Sequence, residues 1–243
     1  MDIAAEIRAN MQSLAANVYP GRGIVIGQTP DGKKLVQVYW IMGRSENSRN
    51  RVFVQEGEVV RTAPFDASKV KDPSLIIYNC TRVAKRAHVV TNGDQTDTIH
   101  DALAKGGSFE SALDTRTFEP DEPNFTPRIS GVVDLGDKLH AYKLGILKTV
   151  GNNPERPVRQ YFSFGRAIPG AGHMVTTYSG DGNPLPSFAG EPKLVEISGD
   201  IAAAADLYWK SLNAENRVSL LVKFIDAKTG ASEVRLVNKH KPA

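Results

Sequence analysis

The sequence predicts an α+β fold with sheets covered by helices, and three observations carry that expectation. Short runs rich in Val, Ile, Thr and aromatic residues recur along most of the chain, bounded by Gly, Pro, Asn and Asp. The three-and-four spacing of a helix is confined to a few stretches far apart in the sequence. The composition is ordinarily globular: 243 residues, 41% hydrophobic and 23% charged, enough for one large domain or two small ones. No internal repeat is evident.

The elements follow in order. Ile3, Ile7, Met11, Leu14 and Val18 form one apolar helical face, and Pro20-Gly21 ends it in a pair suited to a type II turn. Strands are expected at 24–27 and 35–42 around the loop "TPDGKK", then at 52–55 and 58–63 around Glu56-Gly57. "SLIIYNCTRV" and "RAHVVTNG" read as two more, the second stopping at Asn92-Gly93. "QTDTIHDALAKGG" reads as a helix ending at Gly106, with a short helix at 109–113. "FEPDEPNFTPR" is a long Pro-rich loop without a shift in composition, so it marks no domain boundary. Strands are expected again at 129–135, 139–147, 158–164 and 173–178. The Gly/Pro-rich loop "SGDGNPLPSFAGEP" leads to the helix "GDIAAAADLYWKSLN", and a hairpin turning at "AKTG" closes the chain.

Bulk properties exclude several function classes. A net charge of +3 is too small for a nucleic-acid coat, so no nucleic-acid partner is expected and positive charge must act locally. The single cysteine, Cys80, excludes an intrachain disulfide and a multi-Cys zinc site, and fits a reducing, cytoplasmic setting. No apolar run approaches the roughly 20 residues that span a bilayer, and the N-terminus does not read as a signal peptide, so no membrane partner is expected. The histidines form no HxH, HxxxH or Cys/His set, so no metal is expected.

Three stretches carry candidate chemistry. Arg22, Arg44, Arg49 and Arg51 sit beside glycines or in a Ser/Asn-rich turn with Ser45 and Asn50 interleaved. A guanidinium offers five fixed donors and grips phosphate bidentately, and Gly21, Gly23 and Gly43 would let a ligand come close to the backbone. The plain alternative is a solvated loop charged for solubility. No phosphate loop of the Walker type and no GxGxxG is present. In "IIYNC", Cys80 reads as a small buried hydrophobe, because a nucleophile would need His88 or His100 brought close as a base. Tyr78 and Asn79 are better placed to hydrogen-bond a ligand, and strand alternation lets both touch it only if the backbone is irregular at 78–80. In "TNGDQTDTIHDAL", Asn92-Gly93-Asp94 is a tight turn, Thr96 or Asp97 is a candidate cap, and the free N–H groups of the helix start would suit an anion.

In order, "YPGRGIVIG", "YWIMGRSENSRNR", "IIYNC", "VVTNGDQTD" and "TPRI" resemble the archaeal-type IMP cyclohydrolases and their bacterial relatives. The likeness is densest over 19–97 and returns at 126–129. It implies a four-layer αββα sandwich similar to the N-terminal-nucleophile hydrolases but without their processed nucleophile. It also implies one domain over 1–243, with 1–18 as a helical extension. The activity implied is closure of the last purine ring, converting 5-formamidoimidazole-4-carboxamide ribotide into IMP and water, with a purine ribonucleotide as small-molecule partner and no cofactor. Arg22, Arg44, Ser45, Asn50, Arg51 and Arg128 would then bind the substrate's charge, and Tyr78 and Asn79 would orient its base and carboxamide. Asn92 would face the formyl oxygen, and Asp94 or Asp97 would accept a proton. The loop at 180–192 looks expanded against the archaeal pattern. A non-catalytic purine-nucleotide-binding protein and an amide hydrolase of the N-terminal-nucleophile type are the alternatives, and a homo-oligomer stays open.

Overall fold

A computed structural model describes residues 2–70 and 77–240. Helix α1 (Ile3–Ala16) is capped by the Asp2 carboxylate, which accepts from the Ala4 N–H at 3.0 Å. The chain continues through β1 (Gly23–Gln28), β2 (Lys34–Met42) and a single helical turn, α2 (Glu46–Arg49). Strands β3 (Val52–Glu56), β4 (Val59–Ala63), β5 (Asn79–Ala84) and β6 (Ala87–Thr91) follow, then α3 (Gln95–Ala104) and α4 (Phe109–Leu113). The second half holds β7 (Arg128–Asp134), β8 (Tyr142–Val150), β9 (Asn153–Phe164), β10 (Ala171–Thr176), β11 (Lys193–Glu196), α5 (Ile201–Ser211), β12 (Arg217–Asp226) and β13 (Ser232–Asn238).

The strands form two antiparallel sheets. One has six strands in the order β11-β10-β1-β2-β12-β13, and the other has seven in the order β3-β4-β5-β6-β7-β8-β9. Alternation makes both faces of each sheet apolar, so each must be covered on both sides. Ile24, Ile26, Tyr39, Ile41, Leu221 and Ile225 of the first sheet meet Val90, Ile129, Leu144 and Ile146 of the second in a central core. The intervening residues Val25, Val38, Trp40, Leu220 and Val222 point the other way, onto Leu14 of α1 and Ala204, Ala205 and Tyr208 of α5. On the far side Val89, Val132 and Leu147 pack against Ile99 of α3 and Phe109 and Leu113 of α4.

Some expected elements shift. The strand read over 74–83 begins at Asn79, and 74–76 lie outside the described residues. β9 starts at Asn153, ahead of the expected 158, because Pro154 and Pro157 sit on a sheet edge where the ladder does not need their missing N–H groups. β11 rises from the end of the Gly/Pro-rich stretch, and α2 from the Ser/Asn-rich turn.

The central core contains a polar insertion. Gln37 crosses it, its Nε2 donating to the His88 carbonyl at 2.9 Å. In register beside Gln37 lies Lys223, fully buried, its Nζ without a hydrogen-bond partner among the described residues. Burial lowers the Lys223 ammonium from its usual 10.5 to about 8, against a smaller opposing pull from Glu58. Lys223→Met is therefore expected to stabilise the protein at pH 7 by roughly 1–3 kcal/mol in urea unfolding. Between about 8 and 10.5 the unfolded chain holds a proton that the folded chain has shed, so rising pH relieves the wild type. The gap between variant and wild type should narrow from pH 7 to pH 9.5, and a gap that is absent or widens contradicts the account.

Candidate active site

At one rim of the central core the chain encloses a cavity of about 300 Å³, lined among others by Tyr19, Arg22, Arg51, Glu119, Thr126 and Tyr178. Arg22 enters it from the turn before β1. Gly21 has φ 71° there, and a Cβ at that position would run into Thr177 and Tyr178, so the turn requires glycine. The Arg22 N–H donates to Thr177 Oγ1 at 3.0 Å, and its Nη2 reaches the two Glu119 oxygens at 3.2 and 3.4 Å. Arg51 comes from the other sheet, at the foot of β3. Its Nε donates to the Ser48 carbonyl at 2.9 Å. Arg22 Nε and Arg51 Nη1 are both buried without a hydrogen-bond partner among the described residues.

The charges do not cancel. Arg22 and Arg51 share this floor with one buried carboxylate, Glu119, which is only 3% exposed. Burial and then the charge of Arg22 make Arg51 a weaker base than a free guanidinium. Burial also works against the charge on Arg22, but Glu119 and the neighbouring tyrosines hold it well above its usual value. Glu119 is raised as well, because burial outweighs the pull of Arg22 and Arg128. A carboxyl so raised exchanges protons closer to neutrality than a surface one. Behind the floor, the Tyr78 and Tyr39 hydroxyls meet at 2.7 Å. Burial raises the Tyr78 phenol, while Arg22 and Arg51 pull it down.

The mouth is built by α2 and by the loop after β10. Ser45 caps α2, its hydroxyl accepting from the Ser48 N–H at 3.1 Å, and a Cβ on Gly43 would come within 2.7 Å of the Ser48 backbone. Arg44 lies over the Tyr19 ring, 5.0 Å from its centroid, and pairs with Asp181. Its side chain is 37% exposed and that of Asp181 is 51% exposed, so this pair is screened and adds little stability. Leu185 of the same loop completes the wall, its N–H held by Asn124 Oδ1 at 3.0 Å. On the loop between α4 and β7, Asp121 Oδ1 accepts from the Thr126 N–H at 2.6 Å and its other oxygen from the Thr126 hydroxyl. The same hydroxyl lies 2.5 Å from the Tyr178 hydroxyl.

Of the residues singled out in the sequence, Arg22, Arg44, Ser45 and Arg51 line this cavity. Tyr78 lies just behind it. Arg128 is one step removed, its Nη1 donating to Asp94 at 2.6 Å and to Gln95 Oε1 at 2.8 Å. The other named residues lie outside the cavity lining. Asn50 clamps the Asp66 backbone, donating at 2.8 Å and accepting at 2.7 Å. Asn92 is spent on Pro127, Ile129 and Gln95. Asp94 is tied to Arg116 and Arg128, contacts that outweigh burial and hold its carboxyl below the usual range. Asp97, in the first turn of α3, accepts from Asn79 and Arg82, each at 3.0 Å. The backbone irregularity expected near Tyr78 is present: Val60 pairs with Thr81 but Arg61 with Asn79, leaving Cys80 as an extra residue. The bulge turns Tyr78 and Cys80 into the central core and leaves Asn79 on the outer face. Cys80 Sγ lies 3.1 Å from the Val60 carbonyl, and burial raises its thiol, as befits a small core residue.

Glu119, Asp121, Thr126, Tyr178 and Tyr19 went unread in the sequence. The first two did leave a signal, since two of the acidic residues of the Pro-rich loop lie within three positions of each other. A second cleft of about 250 Å³ is lined by Phe109, Asp137, His140 and Lys143. There Lys143 pairs with Glu110 at 2.9 Å, and His140 Nδ1 lies 3.0 Å from Asp137.

Two covered sheets and a cation-floored cavity between them define a protein suited to a small anionic ligand. The chain belongs to the family described as IMP cyclohydrolase-like protein, whose model matches residues 19–230, so α1 precedes the matched region. Over 165 residues it is 33% identical to the IMP cyclohydrolase of Methanopyrus kandleri, covering 66% of this chain and 75% of that protein. The IMP cyclohydrolase of Methanococcus maripaludis is 34% identical over 130 residues, which cover 51% of this chain and 63% of the relative. That of Methanocaldococcus jannaschii is 31% identical over 127 residues, 51% of this chain and 61% of the relative.

Arg51→Met removes a buried charge that has no ion pair among the described residues, so it should raise the unfolding midpoint by a few degrees in phosphate-free buffer. It should also lose the upward shift that inorganic phosphate gives the wild type, and Arg44→Ala should lose a substantial part of it. Differential scanning calorimetry in the two buffers checks both, and an Arg51→Met protein that still responds fully to phosphate removes Arg51 from the anion site.

Proposed function

We propose that this chain is an IMP cyclohydrolase, closing 5-formamidoimidazole-4-carboxamide ribotide to IMP and water. The observation that carries the reading is the pair of buried, unpartnered guanidinium donors beside one raised carboxyl, in a member of this family. Arg44 and Arg51 flank α2 and hold the phosphate between them, with Ser45 at the rim. Arg22 and Glu119 serve the reacting end. Both reacting groups belong to one molecule, so holding the carboxamide nitrogen against the formyl carbon supplies much of the rate. The formyl oxygen gains negative charge as the bond forms. Arg22 Nε stabilises that charge, and Glu119, whose carboxyl burial raises, delivers a proton to it. Behind them the Tyr78 and Tyr39 hydroxyls bond each other at 2.7 Å.

The reading calls for neither metal nor cofactor. It takes the whole chain as one domain in an αββα sandwich like that of the N-terminal-nucleophile hydrolases, working in the cytoplasm on a small molecule, with no role for nucleic acid or membrane. Among the described residues no helix is long and apolar enough to cross a membrane. Incubation of the purified protein with the formylated ribotide, followed by absorbance, tests the reading. IMP formation supports it, whereas IMP binding without formation makes the chain a non-catalytic nucleotide-binding protein.

Glu119 separates these outcomes at the level of one residue. Glu119→Gln keeps an acceptor for Arg22 but has no carboxyl proton to give. Its kcat should fall about a hundred-fold or more while IMP affinity stays within a few-fold. Turnover at the wild-type rate would exclude Glu119 as the acid.

A further inference from the structure

We propose that Tyr178, Thr126 and Asp121 form a relay that takes the proton from the attacking carboxamide nitrogen. The inference rests on the ring-closure reading. All three residues line the same cavity as Arg22 and Glu119.

The direction of the hydrogen bonds follows from counting protons. Thr126 has one hydroxyl proton, and its oxygen lies between the Asp121 carboxylate and the Tyr178 hydroxyl. A carboxylate is the stronger acceptor and cannot donate, so the Thr126 proton lies on the Asp121 side. Thr126 then accepts at 2.5 Å from Tyr178, whose proton is thereby directed away from the ligand. The remaining lone pair of Tyr178 is left for the cavity. Arg22, Arg44 and Arg51 can only donate, so an N–H of the ligand needs an acceptor of this kind. The phenol is fixed in place: Tyr19 stacks on it with centroids 6.1 Å apart and planes at 21°, and the Tyr178 N–H donates to the Pro20 carbonyl at 3.1 Å. Burial holds the Tyr178 phenol above its usual range, and the pull of Arg22 does not reverse this, so Tyr178 conducts a proton and does not store negative charge.

The step balances. As the N–C bond forms, the carbonyl π pair moves onto the formyl oxygen. The carboxamide proton passes to Tyr178, the phenol proton to Thr126, and the threonine proton to Asp121. Glu119 protonates the oxygen. In the elimination, Glu119 recovers a proton from the formamido N–H, whose electron pair makes the ring C=N bond. The hydroxyl leaves as water by taking the proton back from Asp121 along the same relay. Both carboxyls end as they began. Tyr178 is the catalytic residue here, while Thr126 and Asp121 act through it.

Asp121 also braces its loop through the Thr126 N–H, so the decisive variant is Tyr178→Phe, which leaves that brace untouched. Its kcat should fall about a hundred-fold with KM within about three-fold. The dependence of kcat on deuterium content should change from curved, for several protons in flight, to straight. Thr126→Ser should keep most of the rate and Thr126→Val should lose it. An active wild type with Tyr178→Phe unchanged in kcat, or with Thr126→Ser and Thr126→Val equal, overturns the relay alone. A wild type that makes no IMP overturns the ring-closure reading and the relay with it.

Discussion

Two guanidinium groups are buried beside a single carboxylate at the rim of the central core, and the rest of the site depends on that imbalance. An uncompensated charge out of water costs several kcal/mol, so a fold selected for stability alone would not place Arg51 there. The fold tolerates it because the backbone holds Arg51 through the Ser48 carbonyl and because Glu119 answers Arg22. What is left over is donor capacity without an acceptor, which a phosphate or a developing oxyanion satisfies. On the proposed reading, the stability given up there is returned when the anion binds, a common pattern where a site breaks the rules that the rest of the sequence follows.

The architecture that permits this is ordinary. Each sheet is apolar on both faces, so helices must cover the outer faces and the sheets must cover each other. A rim between two sheets is where loops from both can converge. Arg22 arrives with β1 of the first sheet, Arg51 with β3 of the second, Tyr178 with the end of β10, and Glu119 with the loop between the short helices and β7. The Gln37–His88–Lys223 insertion breaks the same apolar core farther from the rim. It lies outside the lining of the cavity at that rim.

Strands were readable because alternation and turn residues are local signals. β1, β2 and β10 were read within a residue or two of their ends, whereas the first residues of β9 were hidden by prolines that matter only in a sheet interior. The cationic half of the site was readable too, since Arg22, Arg44, Ser45 and Arg51 lie in one hairpin and the turn after it. Its acidic half was not. Glu119 reaches Arg22 across 97 positions of sequence, and Thr126 reaches Tyr178 across 52. Asn50, Asn92, Asp94 and Asp97 have the right chemical types but are consumed by neighbours: a backbone clamp, a turn, and ion pairs on the outer face. Nothing in a single sequence distinguishes an amide that meets a ligand from one that meets a carbonyl. For Asn79 the one-residue bulge at Cys80 decided the matter, since it kept Tyr78 inside while Asn79 stayed out.

The central claim is that the cationic rim exists to take the phosphate of a ribonucleotide. Thermal unfolding in the presence of IMP, set against the same concentration of inosine, tests it most directly, because the two differ only by the phosphate. The account predicts that IMP raises the midpoint by several degrees once well above its dissociation constant, and that inosine leaves it nearly unchanged. Equal shifts from both, or a shift from inosine alone, would contradict it.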